Sequence, residues 1–259
     1  LYFTEKSVSK KILNLTNRKP KLNFDLNSVY QELRTNQEID LNEDQQKGIL
    51  TALQNKITII TGGPGTGKTT LIKQLLKILD AKQAKYKLAA PTGRAAKRIT
   101  EGSGKYALTI HRLLEFDPKI MGFAKNEKDC LQLDFLIIDE ASMIDIFLAN
   151  SILKALSLDA HLILIGDIDQ LPSVGAGNFL NDLIKSKKIA TIKLTQIFRQ
   201  AKDSMIIQNA HRINNGEFPT TSLPNTKKDF YFIKENDPLK VMVHLKSIFF
   251  AHLKRARIP

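Results

Sequence analysis

From about residue 41 onward the apolar positions of the chain follow two alternating rhythms. Short runs are apolar on consecutive residues, as in Ile57-Thr58-Ile59-Ile60, Leu136-Ile137-Ile138 and Leu162-Ile163-Leu164-Ile165. Between them lie longer stretches whose apolar residues recur at helical spacing, as in Leu71-Ile72-Lys73-Gln74-Leu75-Leu76. The first kind suits strands buried on both faces and the second amphipathic helices. The pattern predicts helices over 43–54, 67–81, 93–100, 109–114, 144–156 and 176–187, and strands over 57–61, 86–90, 135–139, 161–166 and 189–194. Alternating strands and helices predict an α/β fold: a parallel sheet with helices on both faces, right-handed crossovers, and ligands at the carboxyl ends of the strands.

Outside this region the pattern weakens. Residues 7–15 read as a short helix, and 16–42 as a polar stretch with Pro20 and several asparagines. Between 115 and 133 the alternation lapses, and a β-hairpin insertion and a plain surface loop fit equally well. After Arg199 the chain predicts a helix over 203–215, a Pro/Thr/Asn-rich loop over 219–228, a strand over 230–233 and a helix over 239–255.

Composition narrows the function classes. With 259 residues, 42% of them hydrophobic, the chain can bury a sizeable core as one large α/β domain or two small ones. Its 39 Lys and Arg against 26 Asp and Glu leave a net charge of +13, which points to a polyanionic partner, although lysines spread along the chain equally suit a solvated surface. The single Cys130 excludes an internal disulfide framework and suits a reducing compartment. No apolar run approaches the roughly 20 residues that span a bilayer, so no membrane partner is expected and a cytoplasmic location is. The chain starts without methionine and stops straight after a helical pattern, so a segment of a longer protein is expected.

The chemistry concentrates after the strand at 57–61. There Thr61-Gly62-Gly63-Pro64-Gly65-Thr66-Gly67-Lys68-Thr69-Thr70 leads into an amphipathic helix, the strand, glycine loop and helix that bind a nucleoside triphosphate. Backbone amides at a helix start can wrap a polyphosphate only where Cβ atoms do not crowd it, hence the glycines. Lys68 would reach the β- and γ-phosphates, and the Thr69 hydroxyl would bind Mg²⁺. About 70 residues later, Asp139 and Glu140 end an apolar strand; Asp139 is expected to hold Mg²⁺ and Glu140 to act as the base on the attacking water. Gln170 follows another buried strand, where an amide can bond the γ-phosphate or simply sit in a turn.

Six blocks carry a family resemblance. They are Gly62 to Thr70; Ala90-Pro91-Thr92-Gly93-Arg94-Ala95-Ala96-Lys97-Arg98; Thr109-Ile110-His111-Arg112-Leu113-Leu114; Ile137-Ile138-Asp139-Glu140-Ala141-Ser142-Met143; Gly166 to Gly177; and Leu194-Thr195-Gln196-Ile197-Phe198-Arg199-Gln200. In order and wording they resemble the RecD-like superfamily I DNA helicases, the family of the exodeoxyribonuclease V alpha subunit. The resemblance implies a P-loop NTPase with a RecA-like sheet, using ATP and Mg²⁺ and moving on single-stranded DNA with 5′-to-3′ polarity. It leaves open a stand-alone helicase, a partner of other subunits in a helicase–nuclease complex, or the helicase part of a conjugative relaxase, with a DNA-dependent ATPase that does not unwind and a non-catalytic scaffolding subunit as the alternative functions.

Residue by residue, the resemblance gives Gln45 the adenine edge, Arg199 the charge on the γ-phosphate, and Thr92, Arg94, Lys97, Thr109 and His111 the single-strand track. A helix cap or a solvated charge remains an alternative for each of the track residues, and a core position for His111. The resemblance further implies that 1–38 is a remnant of a preceding domain and linker, that 39–259 is the first RecA-like motor domain, and that the second motor domain lies outside this chain.

Overall fold

The computed structural model describes residues 1–35, 41–197, 203–221 and 229–253. They fall into two compact units, Leu1–Ala201 and Lys202–Pro259. The first unit is built on a six-stranded, all-parallel sheet. Its strands are β1 (Ile57–Gly62), β2 (Tyr86–Ala90), β3 (Ala107–Thr109), β6 (Phe135–Ile138), β7 (His161–Gly166) and β8 (Ala190–Leu194), in the order β3-β2-β6-β7-β1-β8. Two short strands, β4 (Phe116–Asp117) and β5 (Gly122–Phe123), form an antiparallel hairpin, which resolves the choice left open at 115–133.

Strand alternation feeds two cores. Ile57, Ile59, Leu136, Ile138, Leu162 and Leu164 face one side, against α1 (Tyr2–Thr16), α7 (Ile146–Ala155) and α8 (Phe179–Lys185). Ile60, Phe135, Ile137, Ile163 and Ile165 face the other, against α2 (Leu26–Thr35), α3 (Glu43–Gln54), α4 (Lys68–Ala81) and α5 (Gly93–Ser103). This is the α/β layering expected from the pattern, and the P-loop NTPase fold that the resemblance implies.

Several boundaries differ from the sequence expectation. The polar stretch at 16–42 contains α2, which buries only Val29 and Leu33; Asp25 caps it by accepting from the amides of Asn27 and Ser28 at 3.1 and 3.3 Å. In α2, Leu26, Val29, Tyr30 and Leu33 do recur at helical spacing, a signal hidden by the polar residues that dominate 16–42. The first helix is longer than 7–15, running Tyr2–Thr16, and Ser7 Oγ donates to Asn150 Oδ1 of α7 at 2.9 Å. The helix expected over 109–114 shrinks to the single turn α6 (Ile110–Leu113), because β3 extends to Thr109 and its hydroxyl then caps the turn from Arg112 N at 3.2 Å. The helix expected from 176 begins only at Phe179, since Gly177 turns at φ 90°.

In the second unit, α9 (Met205–Asn214) is capped by Ser204, whose hydroxyl donates to Asp229 at 2.6 Å, and buried Asn209 exchanges two bonds with Thr220. No strand forms over 229–237 where one was expected over 230–233; α10 (Pro238–Ser247) follows and passes into a π-helical turn, Ile248–Leu253. No helix among the described residues is long and apolar enough to cross a membrane.

β7 opens on His161, which stacks on Phe135 with centroids 4.3 Å apart and donates from Nδ1 to the Asn55 carbonyl at 2.9 Å. Burial pushes its pKa down to about 4 from the ordinary 6.5. The unfolded chain therefore binds more protons than the fold between those values, so this stabilisation is complete above pH 6.5 and fades as pH falls toward 4. We expect a stability loss of about 2 kcal/mol between pH 7 and pH 5, read by urea titration at both pH values. A flat profile would mean that His161 takes up its proton without leaving the fold.

Candidate nucleotide and nucleic-acid site

The glycine loop lies between β1 and α4. Gly65 and Gly67 adopt φ of 76° and 78°, a left-handed geometry that costs glycine little and other residues strain. Gly62 is required for a different reason: a Cβ there would meet Thr66 Oγ1 at 2.7 Å and Leu194 Cβ at 2.9 Å. Thr66 Oγ1 donates to the Gly63 carbonyl at 2.9 Å. Lys68 folds over the loop and donates from Nζ to the Gly62 and Gly63 carbonyls at 2.5 and 3.0 Å. Pro64 completes the turn, and Thr69 and Thr70 form the first turn of α4, half-buried.

Gln45 belongs to this loop's scaffold. It is 0% exposed and forms a capping box with Asn42: Gln45 N donates to Asn42 Oδ1 at 2.9 Å, and Asn42 N to Gln45 Oε1 at 3.0 Å. Its Nε2 donates to the Gly67 and Thr66 carbonyls at 3.2 and 3.4 Å. These bonds tie the start of α3 to the far end of the phosphate loop.

Opposite the loop, β6 ends in the acid pair. Asp139 is 3% exposed and accepts from Glu140 N at 2.9 Å. Glu140 turns left-handed at φ 53°, ψ 39° and starts a 3-10 turn, Ala141–Met143, so that its carboxylate leaves the line of the strand. Its Oε1 accepts from Arg98 Nη2, while its Oε2 is buried and takes no hydrogen bond among the described residues. Arg98 Nη2 also lies 3.7 Å from Asp139 Oδ2. At the tip of β7 is buried Asp167, whose Oδ1 accepts from Asp169 N at 3.1 Å.

These charges act on one another. Burial lowers the Lys68 pKa, and Asp167, Asp139 and Glu140 oppose that shift. Burial raises the Asp139 pKa, with the Glu140 amide bond opposing it and the Glu140 charge adding to it. A desolvated ammonium and a desolvated carboxylate are what a ligand carrying phosphate oxygens and a divalent cation would re-stabilise. No group of three or more His, Cys, Asp or Glu side chains that could hold a metal forms among the described residues. The donors expected to hold it, the Asp139 carboxylate and the Thr69 hydroxyl, fit Mg²⁺ held largely by phosphates and water.

Along α5 runs an open cleft of about 600 Å³ lined by Thr92, Arg94, Lys97, Arg98, Glu140 and Gln170, among others. Thr92 caps α5 by accepting from Ala95 N at 3.2 Å, and Arg94 and Lys97 are exposed. Thr109 stands level with Ala90 at the end of the neighbouring strand. His111 is not a core residue: it is exposed and packs with the hairpin rings of Phe116 and Phe123, each 5.6 Å away. Gln170 is exposed on the loop after β7, and Arg199 lies outside the described residues. Sequence reasoning missed Arg98 and Asp167. Asp167 repeats the signal that found Asp139, an acid ending an apolar strand, whereas a salt bridge from Arg98 has no trace in spacing.

A family model described as an AAA domain matches residues 45–176, just over half of the chain. The chain belongs to this family, as a RecD-like superfamily I helicase motor domain. It is 41% identical over 179 residues to the ATP-dependent RecD2 DNA helicase of Deinococcus radiodurans, covering 69% of this chain and 24% of that protein. With the RecBCD enzyme subunit RecD of Mycobacterium tuberculosis it shares 30% identity over 243 residues, covering 83% of this chain and 41% of the relative. The crystal structure of Pif1 helicase from Candida albicans superposes with a TM-score of 0.51 at 26% identity, over 70% of this chain and 45% of that one. The RecD-like motor domain thus spans less than half the length of each of these proteins.

Gln45→Ala removes the capping box and the tie to the loop together. We expect it to lower the stability of the nucleotide-free protein by about 2 kcal/mol, measured by denaturant titration. An unchanged midpoint would leave Gln45 with no structural duty and return it to nucleotide contact alone.

Proposed function

We propose that this chain is the first motor domain of an ATP-dependent helicase, binding ATP with Mg²⁺ and single-stranded DNA and moving 5′-to-3′ in the whole protein. One observation carries the reading: Lys68, Asp139, Glu140 and Asp167 converge from the carboxyl ends of the adjacent strands β1, β6 and β7 within electrostatic reach of one another. The polarity rests on the family resemblance alone.

In this reading the loop amides and Lys68 cradle the β- and γ-phosphates, and Thr69 and Asp139 hold Mg²⁺. When bound, Mg²⁺ neutralises charge developing on the phosphoryl group in transfer. Glu140 takes the proton of the attacking water, Gln170 reaches the γ-phosphate from the cleft, and Arg199 offsets the growing negative charge. The relatives' greater length supports a second motor domain that completes the site, and other subunits of a helicase–nuclease complex are candidate partners.

Glu140→Gln in the full-length protein should keep ATP binding and reduce hydrolysis by about 10²–10⁴-fold, because it preserves shape and removes the base. Steady-state ATPase assays with a parallel nucleotide titration check this, and retained turnover would take the base assignment away from Glu140.

Single-stranded DNA should lie along the α5 cleft by its phosphates, with little sequence preference. Arg94→Ala with Lys97→Ala should weaken binding to all sequences alike and flatten the dependence of log K on log salt by about 0.7 per lost phosphate contact. Salt titrations by fluorescence anisotropy measure this, and a double variant with wild-type affinity and slope would move the track elsewhere.

A further inference from the structure

We propose that Arg98 is a positioning residue that restrains Glu140 until a single-stranded nucleic acid draws its guanidinium away, so that strand binding releases the base for hydrolysis. This rests on the functional reading above and adds to it a means by which the strand governs the rate.

The ion pair is asymmetric. The Arg98 side chain is 58% exposed, while those of Glu140 and Asp139 are 10% and 3% exposed. The carboxylates are buried, and the guanidinium reaches them from solvent. Glu140 has one oxygen on Arg98 and the other buried without a hydrogen-bond partner among the described residues, so Arg98 is its principal restraint. While Oε1 is bonded to Arg98, the carboxylate is held toward the guanidinium and is not free to turn toward an attacking water. A general base must come within hydrogen-bond reach of the proton it takes, so the restrained Glu140 is the poorly placed one.

Arg98 is also placed to let go. It sits one helical turn beyond Arg94 and beside Lys97, and all three line the same cleft. A phosphodiester lying against Arg94 and Lys97 would come within reach of the Arg98 guanidinium, whose planar fork matches phosphate oxygens as well as a carboxylate. Partly exposed ion pairs are weak, so one well-placed phosphate suffices to compete. The exchange moves a cation from the base to the strand and needs no rearrangement of the sheet.

The test uses the full-length protein with oligodeoxythymidylate as the strand. Arg98→Ala should raise ATP hydrolysis without DNA by about tenfold, lower the DNA-stimulation ratio by a similar factor, and make the salt dependence of DNA binding shallower by about 0.7. Affinity for a non-hydrolysable fluorescent ATP analogue should stay within about twofold, a control for the loop and the fold. Arg98→Lys, which keeps the charge without the fork, should give an intermediate ratio; if Arg98→Ala does not fold, this variant carries the test, and a wild-type ratio from it overturns the inference. Equal loss of turnover with and without DNA, leaving the ratio intact, would make Arg98 a structural support and overturn the inference alone. A wild-type protein that does not hydrolyse ATP under either condition overturns the functional reading, and this inference with it.

Discussion

The central strands β6, β7 and β1 are buried on both faces, and this constraint organises everything else. Side chains along their length are almost all apolar, since an unpaired polar group inside either core is costly. The buried Thr61 Oγ1 and His161 Nε2, which take no hydrogen bond among the described residues, lie near strand ends. Alternating isoleucines and leucines meet the demand by feeding one core and then the other. Charged groups are tolerated only where the strands run out. The parallel register, pairing Thr61 with Gly166 and Ile138 with Leu164, brings those ends nearly level. Lys68, the acid pair and Asp167 are neighbours because the sheet leaves them no other place.

Close packing of charge at these tips has its own cost, visible in the opposite shifts of Lys68 and Asp139. Burial works against both charged forms, and the mutual attraction of the groups offsets only part of it. The scaffold absorbs the rest through bonds that hold the backbone: Gln45 on the loop carbonyls, the Glu140 amide on Asp139, and Asp169 N on Asp167. These keep the donors aimed before any ligand arrives, which is how preorganised sites avoid reorganisation during reaction.

Much of this was legible in the sequence because it is local. The unbroken apolar runs announced buried parallel strands, and the glycines, Lys68 and Thr69 sit within one turn of chain. What could not be read depends on residues far apart. Only the folded chain brings the Thr66 and Gly67 carbonyls, over 20 positions away, onto the Gln45 amide. Arg98 and Glu140 are separated by 42 positions and meet because β2 and β6 are neighbours. His111 was a candidate for a core or a strand contact, and the aromatic rings of the hairpin decided its surroundings instead. Helix α2 was legible in principle, in Leu26, Val29, Tyr30 and Leu33 at helical spacing, but polar residues dominate the stretch around it and mask the signal.

Helix α5 carries one further consequence. Its N-terminal half holds Arg94, Lys97 and Arg98, and near its other end a Cβ on Gly102 would run into Thr69 Cγ2. The helix therefore rests directly on the threonine assigned to the metal, with backbone where other helices have a side chain for cushion. A side chain at 102 would have to push the Thr69 methyl aside or tilt α5 away from the loop. Glycine at 102 works here as a mechanical tolerance: the smallest residue makes the shortest linkage between the cleft and the phosphate loop.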